Sequence, residues 1–319
     1  MIKTFARRVS KLLLRHGPDV SLATSAQLPW PLKETLARIE MATRSVIDLK
    51  VRASFLRYAW HLEPCPMPDR LCYGPIWQYW NAGLAGCPPI IRECMASVRR
   101  HTMGREILVL TDENLHDFVT LPPHALAKRE QIGATHFSEL LRVSLLAQHG
   151  GTWIDASVLL TGRIDDLTST LPFFAFRRAN DPYMVSSWFI HAAAGHPLAC
   201  AMRDLLTAYW VTQDKVQEYF MFHFLFESAI TLHAGLRGMW QKTPTVLAEW
   251  RLQDAINDGS NFDRLKELAG RAPVHKLTWK FSERAMREAV RIAEWTTNLG
   301  PGAISHQAKK QSPISSQGE

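Results

Sequence analysis

No apolar run in this sequence approaches the roughly 20 residues that a membrane-spanning helix needs, and the opening residues lack the apolar core of a signal peptide. Cysteine is scarce and scattered. Cys65, Cys72, Cys87, Cys94 and Cys200 make no C-x-x-C pair and no zinc-ligand spacing, which excludes a disulfide scaffold and a zinc module. An odd set of this kind reads as free thiols in a reducing compartment, so the expected location is the cytoplasm. There is no G-x-G-x-x-G, no P-loop and no G-x-S-x-G, so dinucleotide-binding, P-loop and nucleophile-elbow chemistries find no support. There is also no internal repeat. The basic residues are dispersed and no recognition-helix motif accompanies them, which argues against nucleic acid as a partner.

What is present is apolar mass and positive charge. The 319 residues are 46% hydrophobic, enough for one large domain with appendages. Lys and Arg total 37 against 30 Asp and Glu, a formal net charge of +7 that favours an anionic partner. Part of that charge lies in "MIKTFARRVSKLLLRHG". There Ile2, Phe5, Val9, Leu12 and Leu13 share one helical face and Lys3, Arg7, Arg8, Lys11 and Arg15 cover the rest. Such a helix suits an anionic membrane surface, here the inner face of the plasma membrane, and equally suits packing on its own domain.

A second helical stretch follows Pro29-Trp30-Pro31, and the segment "EPCPMPDRLCYGP" then breaks regular structure. We expect a helical N-terminal extension over 1–70, a main domain over 71–305 and a disordered tail over 306–319. In the main domain strands and helices alternate. "PIWQYWNAG", "REILVLTDEN" and "TWIDAS" read as strands, "PPIIRECMASVRRHT" and "ATHFSELLRVSLLAQHGG" as the helices between them, and "PFFAFRR" and "VSSWFIHAAA" as further strands. Helices resume from about Pro197. The pattern predicts an α/β fold with a mainly parallel sheet.

Chemistry concentrates around "HFSELLRVSLLAQHGGTWIDAS". Ser138, Glu139 and Arg142 fall three and four residues apart on one helix edge, while Phe137, Leu141 and Leu145 turn to the core. A hydroxyl, a carboxylate and a guanidinium on one edge suit sugar hydroxyls and a phosphate, although an ordinary surface ion pair has the same spacing. Asp155 ends the next strand, where open α/β sheets bind ligands. Gln78 and Trp80 share a face of the first strand, and an aromatic there suits a nucleotide base. Near the C-terminus "PVHKLTWK" supplies His275, a candidate metal ligand, with Lys276 and Lys280 as candidate phosphate partners.

Taken together, "PIWQYWNAG", "LTDEN", "HFSELLRVSLLAQHGGTWIDASVLLTG", "SSWFI", "EYFMFHFLF" and "VHKLTWK" closely resemble the capsular polysaccharide synthesis proteins, over about residues 71–282. These belong with the Asp-x-Asp sugar transferases, among them the family 32 glycosyltransferases and the glucosylating bacterial toxins. The resemblance implies a GT-A nucleotide-sugar-binding fold, a nucleotide-sugar donor, most often UDP-linked, and transfer with retention onto a glycan or lipid-linked glycan. It implies that Ser138, Glu139 and Arg142 line the donor sugar and diphosphate, that Asp155 contacts ribose and sugar, and that Trp80 stacks on uracil. Asp155, Arg142 and Glu139 are the expected catalytic set. Two positions depart from the wider family: Glu139 is Asp in much of it, and Ser157 stands where it has the metal-coordinating Asp. We nevertheless expect Mn²⁺ or Mg²⁺ here, held by Asp155, His275 and the donor's diphosphate, with water in the remaining positions and Ser157 as a weaker, neutral neighbour. A catalytically silent nucleotide-sugar or glycan binder and a protein-modifying transferase are the alternatives.

Overall fold

The computed structural model describes residues 49–102, 104–178, 181–246 and 250–298. The chain parts into two compact units, Met1–Arg57 and Tyr58–Glu319. In the first, only residues 49–57 are described, and all are helical. The basic helix expected over the first 16 residues and the tail at 306–319 lie outside the described residues.

The second unit is built on a five-stranded sheet in the order β2-β1-β3-β6-β5. Its strands are β1 (Ile76–Tyr79), β2 (Ile107–Leu110), β3 (Gly151–Ile154), β5 (Phe173–Arg178) and β6 (Asp181–Ala192). A separate pair joins β4 (Val158–Leu160) to β7 (Val274–Lys276). The expected strand-helix alternation produces the parallel half of the sheet, where β1 lies between β2 and β3 and parallel to both. Helix α1 (Pro89–His101) makes the first crossover, α2 (Pro123–Ala127) and α3 (Arg129–His149) the second. The other half is antiparallel, because β6 runs against both β3 and β5. Only two residues, 179 and 180, separate β5 from β6 in the sequence, too few for the crossover that a parallel pair requires.

Local sequence explains the helices that frame the site. Pro89 opens α1, where a missing N–H costs nothing, and Arg99, Arg100 and His101 close it against the helix dipole. In α3, Gly133 takes φ 73° and ψ 159°, so the regular helix begins just after it. Phe137, Leu140, Leu141, Leu145 and Leu146 are buried, as are Glu139 and Arg142, so α3 is enclosed on nearly every side.

The connections α4 (Asp165–Thr168), α5 (Pro197–Thr212), α6 (Met221–Leu232) and α7 (Ala234–Lys242) are followed by three helices that cover α1. These are α8 (Arg251–Asp258), α9 (Phe262–Ala269) and α10 (Glu283–Asn298). On α10, Ala285, Ala289, Ile292 and Ala293 form the buried stripe, packed with Ile90, Ile91, Cys94 and Met95 of α1. The small alanines suit close helix packing.

Two histidines are sealed in this frame. Burial, reinforced by the Arg105 charge, pushes the His191 imidazole down to about 3, and burial alone pushes His196 down to about 4. Both are neutral when folded and regain a proton when the chain unfolds. Protons therefore bind the unfolded state in excess below an unfolded pKa of about 6.5, and stability falls with pH through that window. Between pH 8 and pH 5 the two together should cost about 4 kcal/mol, read as a lower urea midpoint. An unchanged midpoint would contradict the assignment.

Candidate functional site

At the carboxyl ends of β1 and β3 lies a cleft of about 720 Å³. Asp155 follows β3, and its backbone N–H donates to the carbonyl of Trp188 at 2.9 Å, so the carboxylate is carried on a rigid strand end. Three groups converge on it. The Trp153 indole donates to Oδ1 at 2.8 Å, the Arg142 guanidinium lies 3.5 Å from the same oxygen, and Lys276 Nζ donates to Oδ2 at 3.0 Å. Burial by itself would push this carboxyl up. The charges of Lys276 and Arg142 and the indole hydrogen bond outweigh it and hold the carboxyl below its ordinary value.

Lys276 reaches the site through the β4–β7 pair. Its Cα is opposite Val158, and the next residue, Leu277, donates its N–H to the Ser157 carbonyl at 3.0 Å. Its ammonium also donates to Ser157 Oγ at 2.6 Å. The two oxygen-bearing side chains of Asp-Ala-Ser therefore share one lysine.

The helix edge arrives as expected. Ser138, Glu139 and Arg142 all line the cleft. Arg142, however, is engaged by the protein on several sides. Its Nε donates to the Ser138 carbonyl at 3.0 Å and its Nη2 to Ser138 Oγ at 2.9 Å. Its Nη1 donates to the Ser187 carbonyl, and the guanidinium lies over the Trp153 ring. Arg142 thus ties α3 to β6 and braces Asp155. Glu139 is paired at 2.9 Å with His136, three residues before it on the same helix.

Trp80 lines the cleft edge-on to Trp279, with ring centroids 6.1 Å apart, and Lys280 Nζ sits 5.3 Å from the centre of the Trp279 ring. Trp279 is half exposed, and pattern alone does not single it out inside "VHKLTWK". Ser187, Tyr219 and Gln253 also line the cleft. Ser187 and Tyr219 lie in the stretches "SSWFI" and "EYFMFHFLF", although the sequence assigns no role to either, and nothing local marks Gln253.

Two expected residues do not reach the cleft. Gln78 is fully buried in β1, the central strand of the parallel half, which is covered on both faces. His275 is fully buried as well, with its Nε2 at 2.8 Å and 3.1 Å from the carbonyls of Ala272 and Ala269. Strand alternation explains this outcome: Lys276 turns to Asp155, so its neighbour His275 turns to the opposite face. His275 therefore does not join Asp155 as a ligand of the divalent ion expected there. One carboxylate and one hydroxyl remain, both already bonded to an ammonium. Among the described residues no three His, Cys, Asp or Glu side chains come together as a metal site.

Known proteins share parts of this chain. It is 26% identical over 137 residues to the O-glycosyltransferase PaGT of Phomopsis amygdali, a match covering 36% of this chain and 34% of that protein. It thus spans about a third of that relative's length. Among solved structures, the PaToxG glycosyltransferase aligns over 83% of this chain and 98% of its own, at 11% identity and a TM-score of 0.36. A likeness that loose adds nothing to the fold described above. The family model for capsular polysaccharide synthesis proteins matches residues 48–293, and the chain belongs to that family.

Proposed function

We propose that the protein is a glycosyltransferase that moves a sugar from a nucleoside-diphosphate donor, UDP-linked by preference, onto a growing surface or capsular polysaccharide, with retention. The observation that carries this reading is the strand-end carboxylate of Asp155, braced by Arg142 and Lys276 on the floor of a cleft with an aromatic wall. The division of labour follows from chemistry. Trp80 and Trp279 offer faces to a base. Lys276 and Lys280 are point charges suited to a diphosphate. Ser138, Glu139 and Asp155 supply acceptors and a hydroxyl for the sugar. Family membership supports a polysaccharide acceptor, and the fungal relative's name supports transfer onto oxygen. A lipid-linked acceptor at an anionic leaflet accords with the apolar face and basic flanks read from the sequence of residues 1–16.

The test is a panel of nucleotide sugars, read by thermal stabilisation and by release of free nucleotide. A ligand at a hundred times its Kd stabilises the folded state by about 2.7 kcal/mol. A chain stabilised by none of them, and releasing no nucleotide from any, would refute the reading. Stabilisation without release, with acceptor present, would indicate the silent binder instead.

Trp80→Ala should weaken donor binding by about 1–3 kcal/mol, the usual worth of one stacked base. The effect should appear in KM, with kcat little changed, because the base is remote from the bond that breaks. An unaltered KM would remove Trp80 from the donor site.

A further inference from the structure

We propose that the Lys276 ammonium is the resident cation of this site, held between Asp155 and Ser157 and facing the donor's diphosphate, so that transfer runs without a metal. The inference rests on the transferase reading above.

Three observations carry it. First, the donor set suits an ammonium. Asp155 Oδ2 and Ser157 Oγ lie 3.0 Å and 2.6 Å from one Nζ, hydrogen-bond distances to a cation with three N–H donors. Two donors are engaged by these oxygens, which leaves the third for an oxygen of the diphosphate. A hard divalent ion needs six or more oxygens in close array, at roughly 2.0–2.6 Å. Ser157 provides only a neutral oxygen for that purpose, and His275 faces away.

Second, the lysine is held from its own backbone. Pairing of Lys276 with Val158, and the bond from Leu277 N–H to the Ser157 carbonyl, clamp it on the Asp-Ala-Ser turn. β-Pairing sets where the side chain starts, and Asp155 and Ser157 fix where its ammonium ends. Third, the charge is right. Asp155 has two cationic neighbours, Arg142 and Lys276, so the cluster keeps one positive charge beyond neutrality. Lys276 is the more exposed of the two, at 16% against 4% for Arg142, and it lines the cleft. A divalent ion placed beside it would be repelled.

In the transfer, the bond between the anomeric carbon and the diphosphate oxygen breaks, and its electron pair stays on that oxygen. The acceptor hydroxyl oxygen bonds to the anomeric carbon, and its proton passes to the released diphosphate. Lys276 keeps all its protons and donates a hydrogen bond that strengthens as charge develops on the leaving oxygen.

The experiment uses the full chain in buffer with excess EDTA and in buffer with Mn²⁺. Nucleotide release is followed with the donor panel, and binding of UDP, with GDP alongside, by calorimetry. Release and diphosphate binding should agree within about twofold between the buffers. Lys276→Gln should lower diphosphate affinity in EDTA by about tenfold or more, and Lys276→Arg should recover part of it. Transfer that stops in EDTA and returns with Mn²⁺ would overturn the inference while leaving the transferase reading intact, as would a folded Lys276→Gln chain that binds diphosphate like the wild type. A chain that neither binds nor turns over any donor in either buffer would fail the transferase reading itself, and this inference with it. The EDTA arm uses the wild-type chain, so its outcome decides the matter even where a variant does not fold.

Discussion

Asp155→Asn should reduce sugar transfer on the order of a hundredfold or more while the chain still folds. The substitution preserves shape and removes only charge, at the point where Lys276, Arg142 and the Trp153 indole meet. Lys276 then has no anion to fix its direction, and the cleft floor gains a positive charge that holds donor without orienting it. Binding should therefore survive better than turnover, so kcat falls more than diphosphate affinity. The structural cost is smaller. The carboxylate is 23% exposed and its cationic partners keep other acceptors, Ser157 for Lys276 and Ser138 and Ser187 for Arg142. We expect a loss of about 1–3 kcal/mol, within the usual margin of about 5–15 kcal/mol. Wild-type turnover in this variant would remove Asp155 from the mechanism.

The same carboxylate bears on acid behaviour. Its depressed pKa means that the ion cluster stabilises the fold above the ordinary carboxylate range and is lost only as pH falls through the lower, folded value. His191 and His196 act earlier, below about pH 6.5. Activity at falling pH should therefore disappear together with the folded state, and an acid limb separate from unfolding would contradict that order.

Gly151→Ala should destabilise the chain by about 2–6 kcal/mol, a large part of the usual margin. Gly151 holds φ at 107°, and a Cβ there would run into the Pro75 carbonyl oxygen, with the Trp77 indole nitrogen at 2.9 Å and the Gly74 carbonyl carbon at 3.0 Å. Gly150 is equally confined: φ is 67°, and a Cβ would meet the Ala194 nitrogen at 2.5 Å and the Cys72 oxygen at 2.6 Å. Most of these obstacles are main chain and cannot rotate aside. Backbone strain of about 1–3 kcal/mol adds to a comparable overpacking cost, and relief would mean parting β3 from the chain leading into β1. That joint sets the depth at which β3 delivers Asp155. Gly86→Ala, where an added Cβ meets nothing within 4 Å, serves as the control and should melt like the wild type. Soluble yield and a thermal melt suffice, and a cooperative, wild-type-like melt for Gly151→Ala would show that the joint tolerates a side chain.

These two residues also show how far the sequence could be read. The double glycine marked the end of α3 because glycine is the residue that leaves a helix with positive φ, and Gly150 does so with its N–H on the Leu146 carbonyl. It did not reveal that both glycines also serve the sheet. The grouping of Ser138, Glu139 and Arg142 followed from helical spacing alone, yet the same spacing could not tell that Arg142 is engaged by β6 rather than by a ligand. Strand periodicity placed Gln78 and Trp80 on one face, but burial of the central strand was a matter of what packs against it.

By itself, then, the sequence determined what a turn of helix or an alternation of strand can encode. It set the order of strands and helices in the parallel half, the Gly-Gly joint, the acid at the end of β3 and the polar edge of α3. Tertiary structure decided the antiparallel half of the sheet, the burial of His275 and the meeting of Trp80 with Trp279. It also decided that Lys276, 121 residues along the chain, would be the group on Asp155. Local patterns report on neighbours within a few residues, because chain geometry fixes those distances directly. Contacts across a hundred residues depend on which register of β4 against β7 buries the most apolar surface and pairs its backbone, and only the folded chain as a whole selects it.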